Sequence, residues 1–492
     1  MTASTFPIRF PTDRLLVGGE WRAAATGATI ALEDPSDGSE LARIGRGGAA
    51  DVDAAVAAAR AALDDGAAGA WGRQSAVERG RLLAAIGRKV LENVELLAEL
   101  EVHDVGKPLK QARADAVALA RYCEFYAGAC DKVHGQTLPF ANGYTALTLR
   151  EPHGVTGHIV PWNYPMQIVG RSVGAALAMG NACVLKPAEE ACLTVLAFAR
   201  LCAEAGLPAG ALNVVTGLGE EAGAALSAHP GVDHLSFTGS VATGALVQIA
   251  AAKNAVPVTL ELGGKSPQVV FADADLEAAL PFLVNAGIQN AGQTCSAASR
   301  ILVERPVFER VRAMMAERYR ALRAGPAASD LDLGPVISGR QKDGIDHFLA
   351  LARDSGLAFA AEGEIVADAP RRGHYVRPTL VDDVPPDHAL AQDEIFGPVQ
   401  VLIAFDGEAE AIRIANGTKY GLVAGVWTKD GSRALRTARA LKCGQVFVNN
   451  YGAGGGIELP FGGVKHSGHG REKGFEALYG FSTLKTIAIH HG

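Results

Sequence analysis

The sequence predicts an α/β protein built on two doubly wound, mostly parallel sheets, and three observations carry that prediction. From about residue 153 short β-rich runs alternate regularly with helical runs. Strands separated by helices of roughly 10–15 residues require right-handed crossovers and so a parallel sheet. A second series of the same kind starts at 268. The chain of 492 residues is long enough for roughly three folding units at ~150 residues each, and its 48% hydrophobic and 20% charged content is globular.

The elements follow in order. Ser75-Ala-Val-Glu78 reads as a capping box opening a helix with Leu82, Leu83, Ile86, Val90 and Leu91 on one apolar face. GVTGHIV leads to a helix ending at Met179, then strand 182–185 and a helix around 193–205. Strand 212–216, a helix near 220–228, strand 234–237, a helix near 241–252 and strand 256–262 complete the first series. The second runs through strand 268–271, a helix from about 275, strand 300–303, a helix at 306–323, and strands 399–405, 423–427 and 445–449. The two units meet around 260–270. Residues 134–151 read as a β-hairpin with an Asn142-Gly143 turn, and 483–491 as an isolated strand. A lone hairpin and a lone edge strand are unstable in water, which implies a homo-oligomer.

Composition excludes several functions. Lys+Arg 46 against Asp+Glu 53 leaves a net charge of −7, with no cationic excess to neutralise nucleic-acid phosphates. The 58 glycines, about 12% against a usual ~7%, follow no period of three, so a collagen reading fails. Seven cysteines without a CxxC pair argue against a disulfide framework or zinc ribbon, and no pair of histidines has HxxxH spacing, so no metal site is expected. Met1–Phe10 shows no basic-then-apolar signal segment, and no run of 18 apolar residues occurs. A cytoplasmic protein with no membrane partner is expected.

Four places carry candidate chemistry. Cys295 lies in NAGQTCSAAS, among small and polar residues just beyond a helix that Gly287 and Gly292 would interrupt, whereas Cys183 and Cys202 lie in apolar runs as core fillers. Its thiolate would be a strong nucleophile, though an ordinary loop cysteine also fits this context. Glu261 ends a strand before Gly263-Gly264, where open α/β sheets place ligands, and a solvated strand-end acid is the alternative. The Gly-Gly-Lys-Ser beside it is no phosphate loop, because Thr259 stands where that loop needs its first glycine. Phe237-Thr-Gly-Ser240 follows a strand and opens a helix, so Gly239 and Ser240 could receive a phosphate, as could the weaker Gly217/Gly219 turn; an ordinary βα turn remains open for each. Pro161-Trp-Asn-Tyr-Pro165 would aim the Asn163 amide at an oxyanion, or form a rigid aromatic loop.

Taken in order along the chain, PWNYP, KPAE (186–189), FTGS, ELGGKSP (261–267), GQTCSA (292–297), EIFGPV (394–399), VNNY (448–451) and PFGGVKHSGHGRE (460–472) resemble the aldehyde dehydrogenase superfamily of the hydrolytic type. The resemblance implies Cys295 as nucleophile, Asn163 with the Cys295 backbone N–H as oxyanion donors, and Glu261 as the base that hydrolyses a thioester. It implies NAD as cofactor, with Glu394 on the nicotinamide ribose, Phe396 and Trp162 beside it, and Lys186 and Glu189 on the adenine ribose. A carboxylate at 189 disfavours the 2′-phosphate of NADP. It further implies an NAD-binding Rossmann-type domain at 1–133 and 152–262, a catalytic domain at 263–450, an oligomerisation arm at 134–151 and 475–492, and a glycine-rich connection at 451–474. A homotetramer or dimer is expected.

For substrate, Arg171 resembles the arginine of semialdehyde and hydroxybenzaldehyde dehydrogenases, favouring an aromatic or anionic aldehyde; a helix arginine in a structural ion pair is the alternative. Gln289 stands where the semialdehyde enzymes carry a second arginine. A coenzyme A-acylating semialdehyde dehydrogenase and an ω-amino aldehyde dehydrogenase are the alternatives. Glu472 matches an acid of the family's proton relay, with a salt bridge near Arg471 equally open.

Overall fold

The computed structural model describes residues 8, 10–63, 69–452 and 456–492. Most of the Met1–Phe10 stretch and part of the glycine run near 452–463 therefore lie outside the described residues.

Five parallel strands form the centre of the first sheet, in spatial order Leu212–Val214, Ala182–Pro187, Val155–Val160, His234–Thr238, Val258–Glu261. In sequence that is third, second, first, fourth, fifth, so the winding reverses between Val155–Val160 and His234–Thr238. A crevice opens at the carboxyl ends of such a pair. Antiparallel strands extend both edges: Leu15–Val17 and Glu20–Arg22 on one side, Gly468–His469 on the other. The strands of the second sheet run Phe359–Glu362, Thr379–Val381, Val399–Phe405, Arg300–Glu304, Pro267–Val270, Val423–Trp427, Gln445–Val448, parallel except for the first. Each sheet carries its own apolar core.

Local sequence explains several element ends. Ser75 and Glu78 close the capping box on helix Ala76–Glu92. Of its predicted face, Leu83, Ile86 and Val90 are buried, but Leu91 is exposed, one position off the stripe that meets helix Leu109–Ala129. Pro165 opens helix Pro165–Met179, where its missing N–H costs nothing, and Gly180 closes that helix in the left-handed region. Gly287, expected to interrupt its helix, lies within Leu276–Ile288, packed against Gln400 too closely for a side chain.

The terminal strand is not isolated. Ser482–His490 pairs antiparallel along its full length with Tyr144–Pro152, which pairs in turn with Thr137–Leu138. The Asn142-Gly143 corner closes a five-residue loop at 139–143 rather than a two-residue turn. Of the segment 475–492, Ala477, Leu478 and Phe481 are buried in the first core, so only the residues after them project as strand. At this root three histidines surround Phe481: His153 stacks on His234 at 4.8 Å, and His158 on Phe481 at 5.5 Å. His158 and His234 are buried.

Candidate active site

Three strand ends supply one wall. Pro161, Trp162 and Asn163 follow Val155–Val160, Gly239 and Ser240 follow His234–Thr238, and Glu261 ends Val258–Glu261. All three lie at the carboxyl edge of adjacent strands, where the winding reverses. The facing wall is the loop after helix Leu276–Ile288. Asn290, Ala291 and Gly292 take φ of 49°, 52° and 76° in succession, turning the chain back to present Cys295. Gly292 is required there twice over, since a Cβ would also collide with the Gly397 carbonyl.

Hydrogen bonds tie the walls together. Asn163 Nδ2 donates to the Gln293 carbonyl at 3.0 Å, while Asn290 Nδ2 donates to the Asn163 carbonyl at 2.9 Å. Gln293 Oε1 accepts from Ile337 N at 2.9 Å. Asn163 is buried, and one of its two amide hydrogens is left to point elsewhere. The Tyr164 hydroxyl meets Thr294 Oγ1 at 2.9 Å. Gln293 and Asn290, both in the NAGQTCSAAS stretch but given no role by it, are the residues that hold the Asn163 amide and carbonyl.

Cys295 stands between two cavities. One, of about 150 Å³, is lined by Tyr164, Arg171, Phe447, Tyr451, Phe461 and Lys473 among others. The second, of about 420 Å³, is lined by Trp162, Gly239, Ser240, Glu261, Glu394 and Phe396 among others. Among the described residues lining the two, only Asn163 and Cys295 belong to both. Gln289 is exposed at the mouth of the smaller cavity, where a vestibule of about 430 Å³ begins.

Electrostatics separate the groups. Burial pushes the Cys295 thiol up to about 11, offset in part by the Arg171 guanidinium. Cys183 is pushed up to about 12 by burial, so it is location and not acidity that distinguishes Cys295. Glu261 is buried, neither oxygen has a hydrogen-bond partner among the described residues, and burial with the nearby Glu472 charge holds it well above the usual carboxylate range. Such a carboxyl is poised to take a proton.

Arg171 is an ion-paired helix residue. Its Nε contacts a Glu472 oxygen, its Nη2 donates to Thr238 Oγ1 at 3.2 Å, and its guanidinium lies 5.0 Å from the Phe461 ring centroid. Glu472, wholly buried, also accepts from Ser236 Oγ at 2.8 Å. Burial, the largest influence, opposes the Arg171 charge, and Glu472 together with Glu261, Cys295 and Tyr122 outweighs it, raising its pKa above the ordinary value. The partner of Glu472 is thus Arg171 and not the neighbourhood of Arg471. Arg171 reaches the cavity wall as the partner of Glu472. The reason is position, since helix Pro165–Met179 is buried at every position but Gln167 and a cation there needs an internal anion.

The larger cavity has the features of a dinucleotide site. Trp162 and Phe396 meet edge to face at 5.4 Å, Phe396 with a φ of 56°. Glu394 Oε1 accepts from Gly264 N at 2.9 Å, and burial pushes its carboxyl up to about 7. A Cβ on Gly263 would occupy the space of the Glu394 carboxylate. Ser240 caps the twelve-residue helix Val241–Ala252, accepting from Thr243 N at 3.2 Å. Lys186 and Glu189 do not line this cavity; they pair with each other at 2.7 Å where strand Ala182–Pro187 ends, and Glu189 also accepts from Gly219 N at 3.4 Å.

Comparison with known proteins shows the family. The aldehyde dehydrogenase family profile matches residues 21–487. The chain is 42% identical over 477 residues to aldehyde dehydrogenase family 2 member B4, mitochondrial, of Arabidopsis thaliana, covering 96% of this chain and 87% of that one. A crystal structure from Burkholderia cenocepacia is similar at 64% identity and a TM-score of 0.96, covering 97% of this chain and 100% of the other. An NAD+ complex of aldehyde dehydrogenase from Bacillus cereus is similar at 37% identity and a TM-score of 0.94, covering 98% and 97%. The chain belongs to the aldehyde dehydrogenase family.

Proposed function

We propose that this enzyme oxidises an aromatic or anionic aldehyde to the free carboxylic acid with NAD, through a covalent adduct on Cys295. One observation carries the reading: among the described residues Cys295 and Asn163 alone line both cavities, so a carbonyl carbon bonded to Sγ would lie between a substrate space and a cofactor space. The larger cavity suits a dinucleotide. Glu394 would hold the nicotinamide ribose hydroxyls, Trp162 and Phe396 the flat ring, and Gly239 and Ser240 a phosphate at the helix start. Lys186 and Glu189 stand ready for the adenine ribose, and the Glu189 carboxylate favours hydroxyls over a 2′-phosphate. Bound NAD supplies the hydride acceptor.

The chain's own residues do the rest. Cys295 Sγ loses its proton and bonds to the aldehyde carbon, and the developing oxyanion takes a hydrogen bond from the remaining Asn163 amide hydrogen and from the Cys295 backbone N–H. With hydride gone the adduct is a thioester. Glu261 takes a proton from water, whose oxygen bonds to the acyl carbon, and the C–S bond breaks to release acid and thiol. The presence of Glu261 favours water over coenzyme A as the acceptor. The strand Ser482–His490, with Leu484 and Ile489 exposed, supports pairing with further copies of the chain as a dimer or tetramer.

The test is a panel of aldehydes incubated with purified protein and NAD, with and without coenzyme A, the products being identified directly. NADH with free acid, unaffected by coenzyme A, is expected. Glu261→Gln should still release a first equivalent of NADH per site but turn over about a hundredfold more slowly. Strict dependence on coenzyme A, or full turnover in Cys295→Ala, would overturn the reading.

A further inference from the structure

Among the described residues that line the cofactor-side cavity, the acids are Glu190, Glu261 and Glu394, and the one cation is Arg340. A dinucleotide brings an anionic diphosphate into this space, which carboxyls repel and a guanidinium attracts. Arg340 belongs to the unit built on the second core, whereas Gly239 and Ser240 precede a helix of the first. Its place is fixed from both sides. Ser338 caps helix Gly339–Asp354, accepting from Gln341 N at 3.2 Å, so Arg340 lies in the first turn. Just before that turn Ile337 N donates to Gln293 Oε1 at 2.9 Å, and just within it Gln341 Nε2 donates to the Phe396 carbonyl at 2.8 Å. The turn is thereby tied to the loop that presents Cys295 and to the aromatic wall of the cavity. Arg340 itself is exposed at the cavity edge, and its charge reaches Glu190, which follows strand Ala182–Pro187 in the other unit.

We propose that Arg340 recognises the diphosphate of the bound dinucleotide, holding it from the second unit while Ser240 receives it from the first. The proposal rests on the placement of NAD given above, with the nicotinamide ribose at Glu394 and the adenine ribose at Lys186 and Glu189. A dinucleotide stretched between those two ends carries its diphosphate through the middle, past the start of helix Val241–Ala252. The guanidinium offers a planar fork of donors that matches two phosphate oxygens, and it stays charged at any working pH. It would also offset the acids that line the same cavity. Contact with the diphosphate leaves the choice between NAD and NADP to the Glu189 end, because both nucleotides carry that group.

The experiment measures Kd for NAD, NADP and ADP-ribose by quenching of intrinsic tryptophan fluorescence, on full-length wild type, Arg340→Met and Arg340→Lys. Arg340→Met should weaken NAD and ADP-ribose alike, about tenfold in Kd at low salt and by a smaller factor at about 1 M salt, where an exposed charge is screened. NADP should weaken by the same factor, so the preference between the two nucleotides stays as in wild type. Arg340→Lys, which keeps the charge without the fork, should fall between wild type and Arg340→Met. Thermal melting without nucleotide checks that each variant is folded. An unchanged Kd for NAD and ADP-ribose, a loss confined to NADP, or a loss on NAD without one on ADP-ribose overturns the proposal. The first would leave Arg340 a surface cation, the second would make it a 2′-phosphate contact, and the third would put it at the nicotinamide. If wild type binds NAD but oxidises no aldehyde, it is the proposed function that fails; if it oxidises aldehydes while Arg340→Met binds NAD as tightly as wild type, only the role of Arg340 falls.

Discussion

Replacing Asn163 by alanine tests the centre of the mechanism, and the structure sets the size of the effect. The Asn163 amide has two hydrogens. One is spent on the Gln293 carbonyl at 3.0 Å, which leaves one for the oxyanion. Asn163→Ala therefore removes one preorganised donor from a buried site, a loss of about 10²–10³ in kcat, or ~2.7–4 kcal/mol of transition-state stabilisation. The loop should survive, because the Asn163 backbone carbonyl keeps its bond from Asn290 Nδ2 and the Gln293 carbonyl retains a longer contact from the same amide at 3.4 Å. Asn163→Asp, nearly isosteric, should be worse than alanine, since it puts a carboxylate oxygen where negative charge develops. Single-turnover NADH formation with a reactive neutral aldehyde isolates the step, and thiol labelling confirms that Cys295 is intact. A kcat in Asn163→Ala within tenfold of wild type, or an aspartate variant as active as alanine, would refute the oxyanion assignment.

Two other outcomes follow from the charges. Arg171→Met would leave the wholly buried Glu472 without its cation, at a cost of ~3–5 kcal/mol; scanning calorimetry should show a fall of about 5 °C or more in apparent Tm, and Arg171→Met/Glu472→Leu should recover over half of it. Burial holds His158 down to about 3 and His234 well below its ordinary value, whereas the unfolded chain titrates near ~6.5. Above that pH neither state binds the proton; below it only the unfolded chain does, so stability should decline by ~1.4 kcal/mol per pH unit per histidine. Thermal melts between about pH 7 and pH 5 should show this slope, and His234→Asn should flatten it.

The alternation of strands and helices was legible in the sequence because hydrophobic periodicity and capping are local. The capping box at Ser75, Pro165 at a helix start and the buried Cys183 need only neighbouring residues for their explanation. Cys295, Glu261 and Asn163 were legible for a related reason: short motifs such as PWNYP and ELGGKSP place them at strand ends or tight loops, where backbone chemistry restricts the choice of residue. Leu91 and Gly287 were misjudged because helix periodicity does not say which neighbour a helix meets. The terminal strand was read as isolated because its partner, Tyr144–Pro152, lies more than 300 residues away in sequence.

By itself the sequence determined the class of fold and the order of its elements, and it singled out the residues proposed for the bond chemistry, all from patterns a few residues long. Only the tertiary structure decided that Asn163 and Cys295 face each other across two cavities, that Arg171 is matched by Glu472, and that Lys473 reaches the substrate side. Charge compensation is a matter of which side chains share a buried space. Helix Pro165–Met179 and the segment around Glu472 are separated by some 300 residues of chain, and only their packing brings the arginine, the glutamate and the lysine around one phenylalanine ring.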